Sequence, residues 1–264
     1  MRICVITPCY NPGRFLMPCL ESVQAQGDVL AKHLLMDGCS RDGTIDVLRG
    51  YQQVAPKLFW ISEADRGQAN ALNKALAQVD TEYFGWLNAD DCYVENGLSR
   101  LADARLRLGS EAPVIIYGDY QVINEKGEIL RHRRQPSFNY FDCVYGYLTV
   151  QNNAALFHTE TVRAAGGFDE MMSFAMDYDL VAKVANRGSV YHVREYIGQF
   201  RLHGLAKTAT LQEVCMAETA VIRSRYGIKP AAMQRIWMLI AKFRVGLRMA
   251  REGCLGCRLG FARH

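Results

Sequence analysis

Ala69-Asn-Ala-Leu-Asn-Lys-Ala-Leu-Ala-Gln-Val79, followed by Tyr83-Phe-Gly-Trp-Leu-Asn-Ala-Asp-Asp91, is the stretch that decides the fold of this chain. Its first part places apolar side chains at Ala69, Leu72, Ala75, Leu76 and Val79, the three-and-four spacing of a helix with one buried face. Its second part is a short apolar run, Tyr83 to Leu87, which breaks into polar and acidic residues at Asn88-Ala89-Asp90-Asp91. A helix feeding a buried strand that ends in a polar cluster is the repeating step of an α/β sheet. In such sheets ligands bind beyond the carboxyl ends of the strands.

The same step repeats upstream. Residues 2–7 form an apolar run ended by Pro8, as expected of a buried parallel strand. Phe15, Leu16, Cys19, Leu20 and Val23 follow at helical spacing. Residues 31–36 make a second strand, ending at Asp37-Gly38. The turn Cys39-Ser-Arg-Asp-Gly-Thr44 opens a helix with Asp42 or Thr44 as its cap. Leu58-Phe-Trp-Ile61 is a third strand. Asn11, Asp37, Asp65-Arg66 and the cluster Asn88 to Asp91 each follow one of these strands, so they are expected along one sheet edge. Downstream the pattern loosens. Val114 to Tyr120 reads as a strand and Asn124-Glu-Lys-Gly127 as a hairpin turn. Residues 131–150, basic and aromatic, read as a loop over the site. Thr159 to Ala165 and Asp177 to Asn186 read as short helices, Ser189 to His203 as one or two strands, and the chain from about Thr208 as helical.

Composition excludes more than it selects. The chain has 264 residues, half of them hydrophobic and 22% charged. That is enough for a large core without disulfides or structural metal. A net charge of +4 is too mild to argue for nucleic acid, and none is expected as a partner. The nine cysteines follow no repeating spacing, and several lie in apolar runs, as small hydrophobes do in a reducing compartment. Cys254-Leu-Gly-Cys257 lacks a second pair to complete a zinc site and reads as two free thiols. The first apolar run is too short for a signal peptide, and no run of about 18 apolar residues exists to span a membrane. A cytoplasmic protein is the expectation.

Two adjacent carboxylates after a strand repel each other, and a divalent cation relieves that repulsion. A solvated loop is the plain alternative for such a pair. Context favours the cation. Gly85-Trp-Leu-Asn-Ala-Asp-Asp-Cys-Tyr93 resembles the DxD-type motif of family 2 glycosyltransferases, with Asn88 in the first acidic place. Ile6-Thr-Pro-Cys-Tyr-Asn11 resembles the family's opening strand and turn. Met36-Asp-Gly-Cys-Ser-Arg-Asp-Gly-Thr44 resembles its Asp-Gly-Ser-x-Asp-Gly-Thr turn. Ser62-Glu-Ala-Asp-Arg-Gly-Gln-Ala-Asn-Ala-Leu-Asn73 resembles its nucleotide-side arginine segment. Gly166-Gly-Phe-Asp-Glu170 with Phe174-Ala-Met-Asp-Tyr-Asp-Leu180 resembles the segment that carries its catalytic acid. These motifs fall in order between residues 3 and 203.

The resemblance implies a GT-A-like fold: a nucleotide-binding mixed, mostly parallel sheet flanked by helices over residues 1–207, with a helical extension over 208–264. It also implies an inverting transfer of a sugar from a nucleoside-diphosphate sugar, UDP- or dTDP-type favoured by Asp37, to a saccharide or lipid-linked hydroxyl in cell-surface polysaccharide or glycolipid assembly. Thr7, Pro8, Tyr10 and Asn11 would hold the nucleotide. Asp37 would accept from the base imide, although Asp beside Gly, as at Asp37 and Asp42, is also ordinary turn chemistry. Arg66 suits the nucleotide and its phosphates unless it pairs with Glu63 or Asp65. Asp90 would be the principal ligand of Mn or Mg, with Asp91 second and Asn88 and Ala89 on the donor. Asp177 would be the base that removes the acceptor proton. Met176 stands where the family has the Glu of its Glu-Asp pair. Asp179, the competing base, diverges from Asp177 by about 200° around a helix. Arg201, His203 and Lys207 offer positive charge near the diphosphate. His203 could alternatively ligate metal or be structural. Gln151 and Asn152 would face acceptor or phosphate.

Residues 231–264 carry seven Lys or Arg and one Glu. Ile236, Ile240, Phe243, Leu247 and Ala250 share a helical face, with Arg235 and Lys242 on one side and Arg244, Arg248 and Arg251 on the other. Such a stripe over residues 231–252 suits an anionic membrane surface, and with it a peripheral location on the inner face. A helix docked on its own domain, or on a second copy in a homo-oligomer, has the same pattern. Two further readings of the whole chain stay open. A nucleotidyltransferase would share the nucleotide and metal layout, but its glycine-rich loop with a lysine is absent after the first strand. A non-catalytic nucleotide- or glycan-binding member is suggested only by Met176.

Overall fold

The computed structural model describes residues 1–204, 212–227 and 233–254, and among them nine strands form one mixed sheet. Strand β1 (Ile3–Cys9) is buried at every position, as its unbroken apolar run requires of a strand covered on both faces. It lies between β2 (Leu30–Asp37) and β4 (Tyr83–Trp86), with β3 (Leu58–Ser62) outside β2, all parallel. Pairing of β1 with β4 ends at Ile6 and Trp86, two residues before Pro8, so a residue without an N–H is tolerated there and the strand runs on to Cys9.

The sheet continues from β4 through β8 (Ala155–His158), β6 (Ile115–Ile123) and β9 (Val190–Arg201) to β5 (Cys92–Tyr93), and β7 (Ile129–Arg133) closes a hairpin on β6. In this half β6 and β9 run parallel and the other pairings are antiparallel.

Helices cover both faces. On one, Ala69, Leu72, Ala75 and Leu76 of α3 (Gln68–Ala77) pack on Ile6, Leu34, Met36 and Trp86, joined by Leu180, Val181 and Val184 of α7 (Met176–Ala185). On the other, Cys19 and Val23 of α1 (Leu16–Gln24) and Leu98 and Leu101 of α4 (Gly97–Arg107) meet Ile3, Val5 and Tyr83. The helical spacing that opened the sequence reading therefore buries the face it marked. The helix α2 (Thr44–Gln52) shifts one expectation: its N-cap position is Gly43, at φ 88°, and not Thr44 or Asp42. From one residue earlier, the Asp42 carboxylate accepts from the Thr44 amide at 3.3 Å and hydroxyl at 2.6 Å and from the Gly13 amide at 2.7 Å.

Residues 131–150 are not a loop over the site. They complete β7 and form α5 (Tyr140–Tyr145), capped by Asn139, which accepts from the Asp142 amide at 3.1 Å. Its apolar side chains are the seat of α9 (Gln234–Arg251): Val144 and Tyr145 pack with Ala241, and Asp142 accepts from Arg244 and Arg248. Helix α6 (Thr159–Ala164) follows β8, and α8 (Gln212–Tyr226) packs on α7 with Ile222 in the main core. Among the described residues no helix is long and apolar enough to cross a membrane. Lys207 and Cys257 lie outside the described residues.

Candidate functional site

A cleft of about 630 Å³ opens at the carboxyl ends of β1, β2 and β4, where the sheet rule places a ligand. Its floor is built from turns held to each other. Asn11 adopts φ 46°, a left-handed conformation that Asn tolerates. Its Oδ1 accepts from the Arg41 amide at 2.8 Å, and its own amide donates to Ser40 Oγ at 2.8 Å. Asp37, buried below, accepts from the Ser40 amide at 3.1 Å and from Ser62 Oγ at 2.6 Å. Gly38 lines the cleft because the chain passes close to Asp65: a Cβ there would lie 2.6 Å from Asp65 Oδ2. Pro8, Tyr10 and Asn11 line the cleft. Thr7 does not. It is fully buried, and its Oγ1 lies 2.9 Å from His33 Nε2, because strand alternation turns it away from the opening.

The acidic cluster divides its labour. Asn88 Oδ1 accepts from Trp86 Nε1 at 3.0 Å and from Gln68 Nε2 at 2.9 Å. Because an indole N–H only donates, the amide oxygen must face Trp86, which fixes the orientation of Asn88. Asp90 lines the cleft, with Oδ2 at 3.0 Å from His203 Nε2 and the Phe15 ring 4.6 Å from the imidazole. Asp91, expected as second ligand, is 1% exposed and turned into the protein. Its Oδ1 accepts from the Arg201 amide at 2.9 Å, and Asn153 Nδ2 approaches Oδ2 at 3.4 Å. Burial, then the neighbouring Asp90, pushes its carboxyl well above the usual carboxylate range. Asp90 lies in the turn after β4 and Asp91 immediately before β5, and only Asp90 lines the cleft.

Arg201 is placed beside the cleft but its guanidinium is occupied. Nε donates to the Asp90 carbonyl at 2.8 Å, one terminal nitrogen to the Asn124 carbonyl at 3.0 Å, and the other to Cys92 Sγ at 3.3 Å. It fixes the Asp90 backbone and does not present a free cation. Arg66 pairs with neither Glu63 nor Asp65. It donates to Glu170 at 2.7 Å, and Glu63 is taken by Lys74. Bonds from Asn70, Arg66 and Asn73 hold the Glu170 carboxyl down at about 2. Asn152 is buried near the Trp86 carbonyl, and neither it nor Gln151 lines the cleft. Phe15, Gln68 and Phe200 line the cleft although the sequence reading gave them no site role. Gln68 lay inside the quoted arginine segment, whereas Phe15 was absorbed into a helical apolar pattern.

Asp177 stands in the first turn of α7, outside the residues lining the main cleft. Burial raises its carboxyl from 3.8 to about 6, and the bond its Oδ1 accepts from the Tyr178 amide at 2.8 Å only partly offsets that. Glu218 of α8, bonded to the amides of Ser173, Phe174 and Ala175, adds to the rise. Met176 is 4% exposed and packs in the core with Trp86 and Phe168, so that position faces inward. Asp179 faces away, buried and held by Lys183 at 3.0 Å and by the Tyr226 hydroxyl at 3.0 Å. The divergence of the two carboxylates around the helix separates them as expected.

The residues present fit a hard divalent cation. Asp90 offers a carboxylate oxygen and His203 an imidazole nitrogen at one point of the cleft wall, and such an ion takes its remaining ligands from substrate phosphates and water. Among the described residues no group of three or more His, Cys, Asp or Glu is arranged as a metal cage.

Comparison with known proteins gives the family and the fold type. The family model described as glycosyl transferase family 2 matches residues 4–167, more than half of the chain. The chain belongs to this family. An uncharacterized glycosyltransferase of Rickettsia typhi is 24% identical over 216 residues, covering 79% of this chain and 66% of that protein. The chondroitin synthase of Pasteurella multocida is 25% identical over 205 residues, 76% of this chain but only 21% of that protein. The chain thus spans less than two thirds of these relatives' length. Among solved structures, a fragment of S. aureus TarS in complex with UDP-GlcNAc superposes with a TM-score of 0.68 at 16% identity, covering 98% of this chain and 77% of that one. The mannosyltransferase PcManGT from Pyrobaculum calidifontis, in complex with GDP-Man and Mn²⁺, gives 0.65 at 18% identity, covering 97% and 76%. The fold is the GT-A type.

Proposed function

We propose that this family 2 member transfers a sugar from a UDP- or dTDP-type nucleoside-diphosphate sugar to a hydroxyl acceptor, with inversion. The observation that carries the reading is the pairing of two separate carboxylates: Asp90, beside His203 on the donor cleft, and Asp177, half-buried and raised to about 6 at the start of α7. The first suits a divalent cation that would neutralise an anionic leaving group. The second is a carboxyl poised near neutral pH to take a proton.

The donor's nucleoside would lie along Pro8, Tyr10 and Asn11, over the Asp37–Ser40–Ser62 bonds, with its diphosphate toward Asp90 and His203. A divalent cation held by Asp90 and His203 would neutralise charge developing on the departing diphosphate. Asn88, fixed by Trp86, would offer its amide N–H groups to the donor. Asp177 removes the acceptor proton as the oxygen attacks the anomeric carbon. One base and no placed nucleophile supports direct displacement. The acceptor is a saccharide or lipid-linked hydroxyl met on the cytoplasmic side of a membrane. Residues 1–207 would act as the catalytic unit and 208–264 as its helical extension.

The test is donor turnover by the full chain with Mn²⁺ or Mg²⁺ and a panel of saccharide and lipid-linked acceptors, scored for nucleoside diphosphate. Release of pyrophosphate would instead mark a nucleotidyltransferase. Donor binding, seen as a thermal shift, with no turnover on any acceptor would mark a non-catalytic binder.

A further inference from the structure

Helix α9 has two apolar faces, and the catalytic body uses only one. Ala241, Val245 and Met249 are buried, the first against α5 and the other two with Cys254. Arg244 and Arg248 clamp this face by donating to Asp142. On the opposite side Ile236, Leu239, Ile240, Phe243 and Leu247 stand in solvent, with Leu239 and Phe243 at 68% and 69% exposure. At 100° per residue these five fall within about a third of the helix circumference, and no charged residue interrupts them. Arg235 and Lys242 border the stripe on one side and Arg251 on the other, where Arg244 is already held by Asp142. The helix is 18 residues long, about 27 Å, and lies too short of apolar residues to cross a bilayer.

We propose that this outer face of α9 lies in the plane of an anionic lipid surface. The apolar stripe enters the boundary between headgroups and acyl chains, and the basic borders reach lipid phosphates on both sides. Charge decides the occupant. A second copy of this chain would bring the same cationic borders against each other, which an isologous contact disfavours, whereas an anionic bilayer complements both at once. The docked face makes the arrangement rigid: α9 is held on α5 by Asp142 and by Val144 and Tyr145, which pack on Ala241, and α5 meets α7 through the Tyr178 hydroxyl, bonded to the Val144 carbonyl beside Asp177. The surface is thus coupled by one intervening helix to the element that carries the proposed base. The inference stands on the helix face alone and survives if the base assignment fails.

Sedimentation of the full chain with phosphatidylglycerol–phosphatidylcholine vesicles tests it. The wild type should bind anionic vesicles, bind pure phosphatidylcholine vesicles far less, and release as salt rises. Leu239→Gln with Phe243→Gln should lower the partition coefficient roughly hundredfold, since each loses the burial of one large apolar side chain. Both sites are exposed, so an unchanged melting temperature will show that the fold is kept. Arg235→Glu with Arg251→Glu should abolish the preference for anionic vesicles, each basic side chain near the surface being worth roughly fivefold. Binding that is equal for all variants overturns the proposal. So does a wild-type dimer in sedimentation velocity that the Gln pair dissociates while vesicles bind neither form.

Discussion

Replacing Asp177 by Asn should produce opposite effects on stability and on rate. The carboxyl titrates at about 6 in the folded chain against 3.8 as its ordinary value, chiefly because of burial. That difference corresponds to a ceiling of about 3 kcal/mol, and partial exposure reduces it to roughly 1–3 kcal/mol. The sign follows from proton uptake. The folded state holds the proton to higher pH than the unfolded one, so the favourable contribution is complete below about pH 4 and is lost as pH rises through 6. Asn is the same shape, keeps an oxygen for the Tyr178 amide, and has no charge to desolvate. At pH 8 the variant should therefore melt several degrees higher, at roughly 2–4 °C per kcal/mol, and the gap should close near pH 4. Transfer should fall by roughly 10²–10⁴ with donor affinity little changed. The wild-type rate should rise through about pH 6 as the carboxylate forms. Thermal unfolding across pH, paired with single-turnover transfer, reads both. A variant that is less stable than wild type at pH 8, or that transfers within about tenfold of it, refutes the reasoning.

The rest of the site makes distinct predictions. Asp90→Ala should remove the cation-dependent part of donor binding, read by calorimetry of UDP-GlcNAc with and without Mn²⁺; unchanged dependence would sink the ligand assignment. Asp91→Ala should act on the fold instead: it leaves the buried Arg201 amide unpaired, which costs about 1–3 kcal/mol in urea unfolding. Gly38→Ala sets a Cβ 2.6 Å from Asp65 Oδ2 and should weaken donor binding more than it shifts the melting temperature, because the side chain at the cleft must move. Gly198→Ala meets the Asn153 carbonyl at 1.9 Å in the middle of the sheet and should behave oppositely, with large loss of stability.

Much of the fold was legible because burial writes periodicity into a chain. The α3 apolar spacing, the β1 run and the strand-end positions of Asn11, Asp37 and Asp90 follow from which faces must leave water. What misled the reading was equally physical. Asp90 and Asp91 look equivalent in sequence, yet the turn between β4 and β5 leaves one at the cleft and directs the other to Arg201 and Asn153. Arg66 has acidic neighbours in sequence, but its partner Glu170 is 104 residues away, a pairing that no local pattern encodes. Residues 131–150 look like a basic loop because their partner, α9, lies a hundred residues downstream.

These long-range contacts show how the site combines rigidity with a perturbed carboxylate. On the donor side the floor is cross-bonded: Asp37 with Ser40 and Ser62, Asn88 with Trp86 and Gln68, Arg201 with the Asp90 carbonyl. Such a floor is preorganised, so little ordering remains when a ligand binds. Asp177 is treated differently. Glu218, which is close enough to raise it further, is itself held by the amides of Ser173, Phe174 and Ala175, and Met176 is locked in the core on its other side. The carboxyl is thus kept half-desolvated by elements that cannot relax toward it. A solvated loop carboxylate would be a weaker base at the same place, because its proton affinity would fall with its pKa. The cost of holding Asp177 near 6 is borne by α7, α8 and the sheet beneath them, which is why its removal should stabilise the fold while it disables transfer.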